Sequence, residues 1–469
     1  MEFLDRINET RTLRETLQRE RSALVVVYGR RRVGKSTLIK QVLQDDDVYH
    51  LSEEAQMQQQ LDSFAKTVAL RYEGFDRVRY YDWESVLLEV NRHIAGKITV
   101  CLDEFPYLVR TCASLPSIIQ RLVDNGALRY NLILCGSSQR MMHGLVLNEK
   151  SPLYQRTDWQ PRIRQLRLPY LQKALNCSAA EAVEEYAVWG GVPRYWALRT
   201  DFKSLTQAIQ RMLIDSNGIL FEEPLRLLRD ERRETAMSSS ILSIIGNGAN
   251  RISEIAARVQ QPATNLSLPL SVLMEMDYVE REVPFGENPK NSKRGLYRLA
   301  DNFLAFYYKF VQPNKNLISL DRTDVVMGLI KKEFPAHVGQ TWEKLCRDFV
   351  SGNTIDGITY GPAARWWGNL PKPEGGYEQA EIDVVAESLD GKHLLVGECK
   401  WRANKGSADA AADLESRAER LPLKKPKQTV HKYLFLKTKP TEPMSMPCFD
   451  PNDIVRSILE QDERRNALE

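Results

Sequence analysis

Ala23-Leu24-Val25-Val26-Val27-Tyr28-Gly29-Arg30-Arg31-Arg32-Val33-Gly34-Lys35-Ser36-Thr37 is the stretch that decides the fold of the first part of this chain. Its apolar opening is rich in β-branched residues, which suits a strand buried on both faces of a parallel sheet. Gly29 stops the strand, and a helical pattern starts near Lys35. Gly29 to Ser36 fits GxxxxGK[ST] in full, between a strand and a helix, which is the context a phosphate-binding loop needs. Glycines there let backbone N–H groups of residues 29–34, Arg30, Arg31, Arg32 and Val33 among them, curl round a β-phosphate at the positive end of a helix. Lys35 then reaches the β- and γ-phosphates, the Ser36 hydroxyl ligates Mg²⁺, and Thr37 donates to the α-phosphate. ATP and Mg²⁺ are therefore the expected cofactors.

Working outward, the apolar run Ile98–Leu102 ends in Asp103-Glu104. An Asp at the tip of a neighbouring strand can hold Mg²⁺ through water, and Glu104 can act as general base toward the attacking water. A third run, Leu132–Cys135, ends in Gly136-Ser137-Ser138. Ser137 or Ser138 can sense the γ-phosphate, or belong to a plain polar loop. Strands alternating with helical stretches such as Trp83–His93 and Leu115–Val123 predict a doubly wound α/β domain. It reaches about residue 168, with Arg164–Leu168 as a last strand.

Beyond it, Leu171 to Asp230 reads as a helical lid with a break at Gly190-Gly191-Val192-Pro193. Residues 235–313 give three helices, the second with Ser253 as N-cap and the third over Thr264–Met276. Two alternating runs, Tyr278–Val283 and Gly295–Leu299, then flank a basic hairpin loop, the pattern of a winged helix-turn-helix. The expected division is thus 1–168 for the nucleotide core, 169–230 for the lid, 231–320 for the winged helix and 321–469 for a last α/β domain.

Five elements occur in order: the phosphate loop, Asp103-Glu104-Phe105-Pro106-Tyr107-Leu108, Gly136-Ser137-Ser138, Ser151-Pro152-Leu153-Tyr154-Gln155-Arg156 and Gly190-Gly191-Val192-Pro193. Together they resemble the archaeal-type DEXX-box ATPase family of the AAA+/STAND group of additional-strand P-loop ATPases, over roughly residues 1–320. The resemblance implies an ATPase core, a helical lid and a winged helix. It also makes Arg156 a candidate for contacting the γ-phosphate, in its own subunit or a neighbour, where an arginine supplies transition-state charge. The alternative for Arg156 is a surface salt bridge. Where the family often shows Gly between the Tyr and the Arg, this chain has Gln155.

The last unit carries Glu381-Ile382-Asp383 and then Glu398-Cys399-Lys400. Strand alternation puts Glu398 and Lys400 on one face, and Asp383 on an adjacent strand can meet them. Two carboxylates bind a hard divalent ion, and the lysine can orient water for phosphodiester hydrolysis. This D…ExK spacing resembles the restriction-endonuclease-like PD-(D/E)xK superfamily, with Gly339–Glu343 like its first core helix and Glu343 a further acidic member. The other reading is a charged sheet edge, or a degenerate nuclease fold used for binding. The archaeal-type ATPase family is often seen with such a C-terminal domain.

The chain has 469 residues, with 65 Lys and Arg against 62 Asp and Glu, so charge by itself selects no partner. Locally, Arg402–Lys432 holds eight basic residues against four acidic, densest at Lys424-Lys425-Pro426-Lys427. The third helix of the 235–313 unit carries no Lys or Arg, and its basic residues gather at Lys290, Lys293 and Arg294. Wing-led DNA contact and a mere packing module are both open there. Trp366, Trp367 and Trp401 can stack on bases or pack in the core. Seven scattered cysteines without a CxxC pair read as reduced thiols. No run is long and apolar enough to span a membrane, and the charged N-terminus lacks a signal-peptide core, so the expectation is a cytoplasmic protein. The expected function is an ATPase that couples nucleotide state to a metal-dependent nuclease-like domain acting on DNA, with a homo-oligomer or a partner protein. The alternative is a nucleotide-gated switch or scaffold whose C-terminal domain binds without cutting.

Overall fold

The computed structural model describes residues 4–146, 148–149, 151–230, 235–372, 374–402, 407–423, 425–442 and 444–468; Lys424 of the basic flank lies outside them. The chain forms two compact units. One comprises Met1–Leu166, Val192–Arg194 and Arg226–Arg233; the other comprises Arg167–Gly191, Tyr195–Leu225 and Glu234–Glu469. The helical stretch after residue 168 is thus divided between the two.

The first unit is built on four parallel strands: β1 (Leu24–Tyr28), β2 (Val48–Leu51), β3 (Thr99–Asp103) and β4 (Asn131–Gly136), in the order β1-β4-β3-β2. Successive residues feed opposite cores. Leu24, Val26, Val100, Leu102, Leu132 and Leu134 join one cluster; Val25, Val27, Cys101, Ile133 and Cys135 join the other. Helices cover both faces, which is why these strands are apolar throughout. The strand bearing Asp103 is not beside β1, contrary to the simplest reading of the sequence, because β4 lies between them. Nor is there a strand at Arg164–Leu168. The segment that continues the sheet comes earlier: Val26 N donates to Trp159 O at 3.0 Å and Tyr28 N to Pro161 O at 3.1 Å. Leu168 already opens the helix Leu168–Leu175, with Pro169 in its first turn.

In the second unit, helix Ala179–Trp189 begins with a capping box between Ser178 and Glu181. Further along come three helices, Thr235–Gly246, Ile252–Val259 and Ser267–Glu275, then an antiparallel pair, β5 (Val279–Glu282) and β6 (Leu296–Leu299). Ser253 is not the N-cap of the second helix. That position is Arg251, and Glu254 accepts from the backbone N–H groups of Asn250 and Arg251 at 3.2 and 3.3 Å. A 28-residue helix, Thr323–Val350, leads to a small hairpin, β7 (Thr354–Ile355) and β8 (Ile358–Thr359). A five-stranded sheet then runs in the order β13-β12-β11-β10-β9. Its strands are β9 (Ala364–Pro371), β10 (Tyr377–Glu387), β11 (His393–Lys400), β12 (Thr429–Leu436) and β13 (Cys448–Phe449). β9, β10 and β11 are antiparallel neighbours, whereas β12 runs parallel to β11. That parallel pair needs a crossover, which helix Ser407–Glu419 supplies, burying Ala410, Ala411, Leu414 and Ala418 against one face.

His337, on the long helix, is fully buried, and its Nε2 lies 2.9 Å from Ala187 O. Burial, between the rings of Phe306 and Phe310, pushes its pKa down to about 4. The folded chain holds this ring neutral while the unfolded chain protonates it near pH 6.5. Stability from this group is therefore intact above pH 6.5 and falls by about 1.4 kcal/mol per pH unit until pH 4. Denaturant melts of wild type and His337→Gln across that window check this. The wild-type slope should be steeper; equal slopes would contradict it.

Candidate functional site

Two clusters of polar side chains stand out, one in each unit. In the first, the loop Gly29–Ser36 joins β1 to helix Lys35–Lys40. Gly29 has φ +153°, and a Cβ there would lie 2.3 Å from Ile163 O, so no other residue fits without moving the backbone. Gly34 has φ +97° with open space around its Cα. Lys35 is buried, and its ammonium donates to Gly29 O at 2.9 Å and Arg30 O at 3.1 Å. These are carbonyls of the loop itself, so its charge meets no carboxylate there.

Asp103 ends β3 facing this loop although one strand intervenes. Ser36 Oγ donates to Asp103 Oδ2 at 2.6 Å, and Tyr49 Oη donates to the same oxygen. Burial alone would raise the Asp103 pKa, but hydrogen bonds from Cys135, Ser36, Tyr49 and the Glu104 N–H outweigh it and hold the carboxyl below its usual range. Asp103 is thus a buried, ionised acceptor set against a hydroxyl, a donor set that fits Mg²⁺. Glu104 adopts φ 55° at the start of helix Phe105–Thr111. Its Oε2 accepts from Ser137 Oγ at 2.8 Å and Ser137 N at 3.2 Å. The structure therefore joins Lys35, Ser36, Asp103, Glu104 and Ser137 at the C-terminal edge of one sheet. Tyr49 escaped the sequence reading because nothing local marks it: it is the second residue of β2, opposite Cys101.

Arg156 is elsewhere. Its Nε donates to Asp124 at 2.8 and 3.0 Å, and its Nη1 to Tyr154 O at 3.1 Å. Asp124 ends the helix that precedes β4, and Asp158 bonds Leu24 at the start of β1. Arg156 therefore sits at the N-terminal edge of the parallel sheet, the end away from Gly29–Ser36, and cannot serve its own subunit's phosphate loop in this arrangement. Gln155 takes φ 57°, a left-handed turn that glycine adopts more readily.

In the second cluster, a register shift between Ile382 and Val385 breaks the β9–β10 ladder around Asp383. Such a bulge re-aims a side chain. Asp383 Oδ2 accepts from Cys399 N at 2.8 Å, and Arg347 Nη1 donates to Asp383 O at 3.1 Å. Glu398 is buried, with Lys400 Nζ 2.5 Å from its Oε1 and Arg417 Nη2 3.2 Å from its Oε2. Burial first, and the Glu398 charge second, push the Asp383 carboxyl upward; burial and Asp383 do the same to Glu343. Asp383 thus feels the charge of Glu398, and Glu343 that of Asp383. Yet among the described residues no group of three His, Cys, Asp or Glu side chains is arranged to hold a metal ion. Glu343 lies 3.9 Å from Arg347. Asp383 and Glu398 remain as a two-carboxylate donor set. Arg417 and Arg347 were not legible as partners because each comes from a separate helix.

Other expected contacts are already occupied. Arg294 pairs with Glu287 at 2.7 Å and also donates to Trp367 O. Trp366 and Trp401 are buried, Trp401 with its ring centroid 5.4 Å from that of Trp342, and Arg365 lies over Trp367.

Residues 3–196 match the model of an ATPase domain predominantly from Archaea, and residues 307–411 match that of archaeal and bacterial proteins of unknown function. An uncharacterized protein of Methanocaldococcus jannaschii is 30% identical over 409 residues, covering 85% of this chain and 88% of that one. The chain belongs to this family of archaeal-type ATPases. Among solved structures, a Walker-type ATPase of Pyrococcus abyssi is 20% identical, covering 66% of this chain and 96% of its own, with a TM-score of 0.51. The ORC2 protein of Aeropyrum pernix covers 68% and 96% at 13% identity, with a TM-score of 0.43. The α/β P-loop fold of the core is shared with the Walker-type ATPase of Pyrococcus abyssi. Among the described residues no helix is long and apolar enough to cross a membrane.

Proposed function

We propose that this ATPase couples its nucleotide state to a metal-dependent nuclease-like domain acting on DNA. What carries the first half is Ser36 Oγ set 2.6 Å from Asp103 Oδ2 beneath a loop whose lysine bonds only carbonyls of that loop. ATP phosphates would take those places: Gly29, Arg30, Arg31, Arg32, Val33 and Gly34 through backbone N–H groups, Lys35 through its ammonium and Thr37 through its hydroxyl. Mg²⁺ would be held by Ser36 and Asp103, and it supplies neutralisation of phosphate charge. Glu104 receives a proton from the attacking water. Ser137, which now holds Glu104, is the donor that a γ-phosphate oxygen competes for. Arg156, paired with Asp124 in a partly exposed ion pair, would meet a γ-phosphate only in a neighbouring copy of a homo-oligomer; the surface ion pair is the other reading.

Glu104→Gln is the direct test of the hydrolytic role. It should keep nucleotide binding and lower steady-state phosphate release by about 10²–10⁴-fold. Unchanged turnover would remove Glu104 from the chemistry.

The second half rests on the bulged Asp383 facing the charge of Glu398, with Lys400 on the same carboxylate. The order of a helix, three antiparallel strands, a crossover helix and a parallel strand supports the PD-(D/E)xK reading. Asp383 and Glu398 would hold Mg²⁺, which supplies Lewis acidity; Lys400 orients water and meets developing phosphate charge. The three helices and β5–β6 read as the winged helix, with Lys290 and Lys293 left exposed at its loop. Cleavage of linear, circular and single-stranded DNA with Mg²⁺ or Mn²⁺, with and without ATP, tests the coupling. Both oxygens of Glu398 already face cations, which favours a second reading: a nucleotide-gated switch whose C-terminal domain binds without cutting. A nucleotide-dependent change in oligomer, with no DNA cleavage in any condition, would select it.

A further inference from the structure

Glu398 is ion-paired at each of its two oxygens, and one of the two cations is not part of the D…ExK pattern. Arg417 lies on helix Ser407–Glu419, the crossover between β11 and β12. Its guanidinium is fixed by two hydrogen bonds and faces Glu398 as an ion pair without a hydrogen bond, which leaves the buried Glu398 Oε2 with no hydrogen-bond partner among the described residues. Nε donates to Asp413 O at 3.2 Å, Nη1 to Glu381 O at 2.7 Å, and Nη2 lies 3.2 Å from Glu398 Oε2. It thus ties one helix to both strands that carry the candidate metal carboxylates. The Glu398 side chain is 6% exposed and that of Arg417 is 21% exposed, so this pair is screened far less than a surface pair. An arginine cannot release its charge by deprotonation, and its planar fork loses little freedom in holding such a site. Lys400, 41% exposed on a flexible stem, has neither constraint.

We infer that Arg417 is a positioning residue that acts as a latch: it holds Glu398 Oε2 in place of a divalent cation, so that metal and Arg417 compete for this carboxylate. The inference rests on the reading of Asp383 and Glu398 as metal ligands. A cation entering between them has to draw Glu398 away from a fixed positive charge, and its affinity is lowered by that competition. A movement of helix Ser407–Glu419 would open the site without any change in the carboxylates themselves.

The test is Mn²⁺ titration of the nucleotide-free full chain by electron paramagnetic resonance, counting the binding that Asp383→Ala removes. Arg417→Gln should tighten that binding by about tenfold, the equivalent of about 1.4 kcal/mol, while Arg417→Lys, which keeps the charge, should stay within about twofold of wild type. Binding that is unchanged or weaker in Arg417→Gln, with the Asp383-dependent component intact in wild type, overturns the latch alone. Mn²⁺ binding that Asp383→Ala does not alter overturns the metal reading, and the latch with it. Should Arg417→Gln fail to fold, Arg417→Met, which also removes the charge, is titrated in its place: a tenfold tightening supports the latch, and unchanged or weaker binding overturns it.

Discussion

Lys35→Ala is expected to abolish nucleotide binding and ATP hydrolysis while leaving the fold of its unit in place. The Lys35 ammonium is buried and donates to Gly29 O and Arg30 O, both in the loop it serves. A methyl group removes the positive charge from the place where triphosphate charge would collect. Loss of one preorganised charge in such a site costs about 10²–10³ in turnover. Here ground-state binding falls as well, because the same group meets the β- and γ-phosphates before hydrolysis. The structural loss is moderate: two buried loop carbonyls lose their donor, about 1–3 kcal/mol each unless water enters the space the side chain leaves. Nucleotide titration and phosphate release, with a melting curve as control, measure this. An Ala variant that binds and turns over ATP like wild type would overturn the assignment of the loop.

Asp383→Ala is expected to remove metal-dependent DNA cleavage and to spare ATP hydrolysis. Asp383 belongs to the second unit, whereas Lys35, Ser36, Asp103 and Glu104 all belong to the first. The two chemistries thus draw on separate side chains. With one of two carboxylates gone, a divalent ion keeps only Glu398, which Lys400 and Arg417 already neutralise. Cleavage should fall by at least about 10³-fold, since the metal supplies both nucleophile activation and charge neutralisation. Linear and circular DNA incubated with Mg²⁺ or Mn²⁺, with and without ATP, for both proteins, gives the answer. Cleavage that survives in Asp383→Ala belongs to another site or another protein. No cleavage by wild type under any condition leaves the switch reading.

Much of this was readable along the chain because it depends on neighbours in sequence. The phosphate loop needs a strand, a defined run of glycines and a helix start, and all lie between Ala23 and Lys40. Apolar runs without alternation marked the strands of the sheet buried on both faces, since each residue from Leu24 to Tyr28 meets a core on one side or the other. Period-two alternation by itself places Glu398 beside Lys400.

Tertiary structure decided the rest, because pairing across a sheet or between helices has no fixed offset in sequence. Nothing local says that β4 stands between β1 and the strand of Asp103, or that Tyr49 shares its carboxylate. Nothing local ties Arg156 to Asp124 at the far edge of the sheet from the loop. The strand expected at Arg164–Leu168 is absent because a proline in the first turn suits the helix that starts at Leu168, while the true sheet neighbours, Trp159 and Pro161, show no alternation at all. The bulge at Asp383 and the fixed guanidinium of Arg417 are likewise products of packing. A side chain's chemistry is set by its residue type, but which charge it meets is set by the fold.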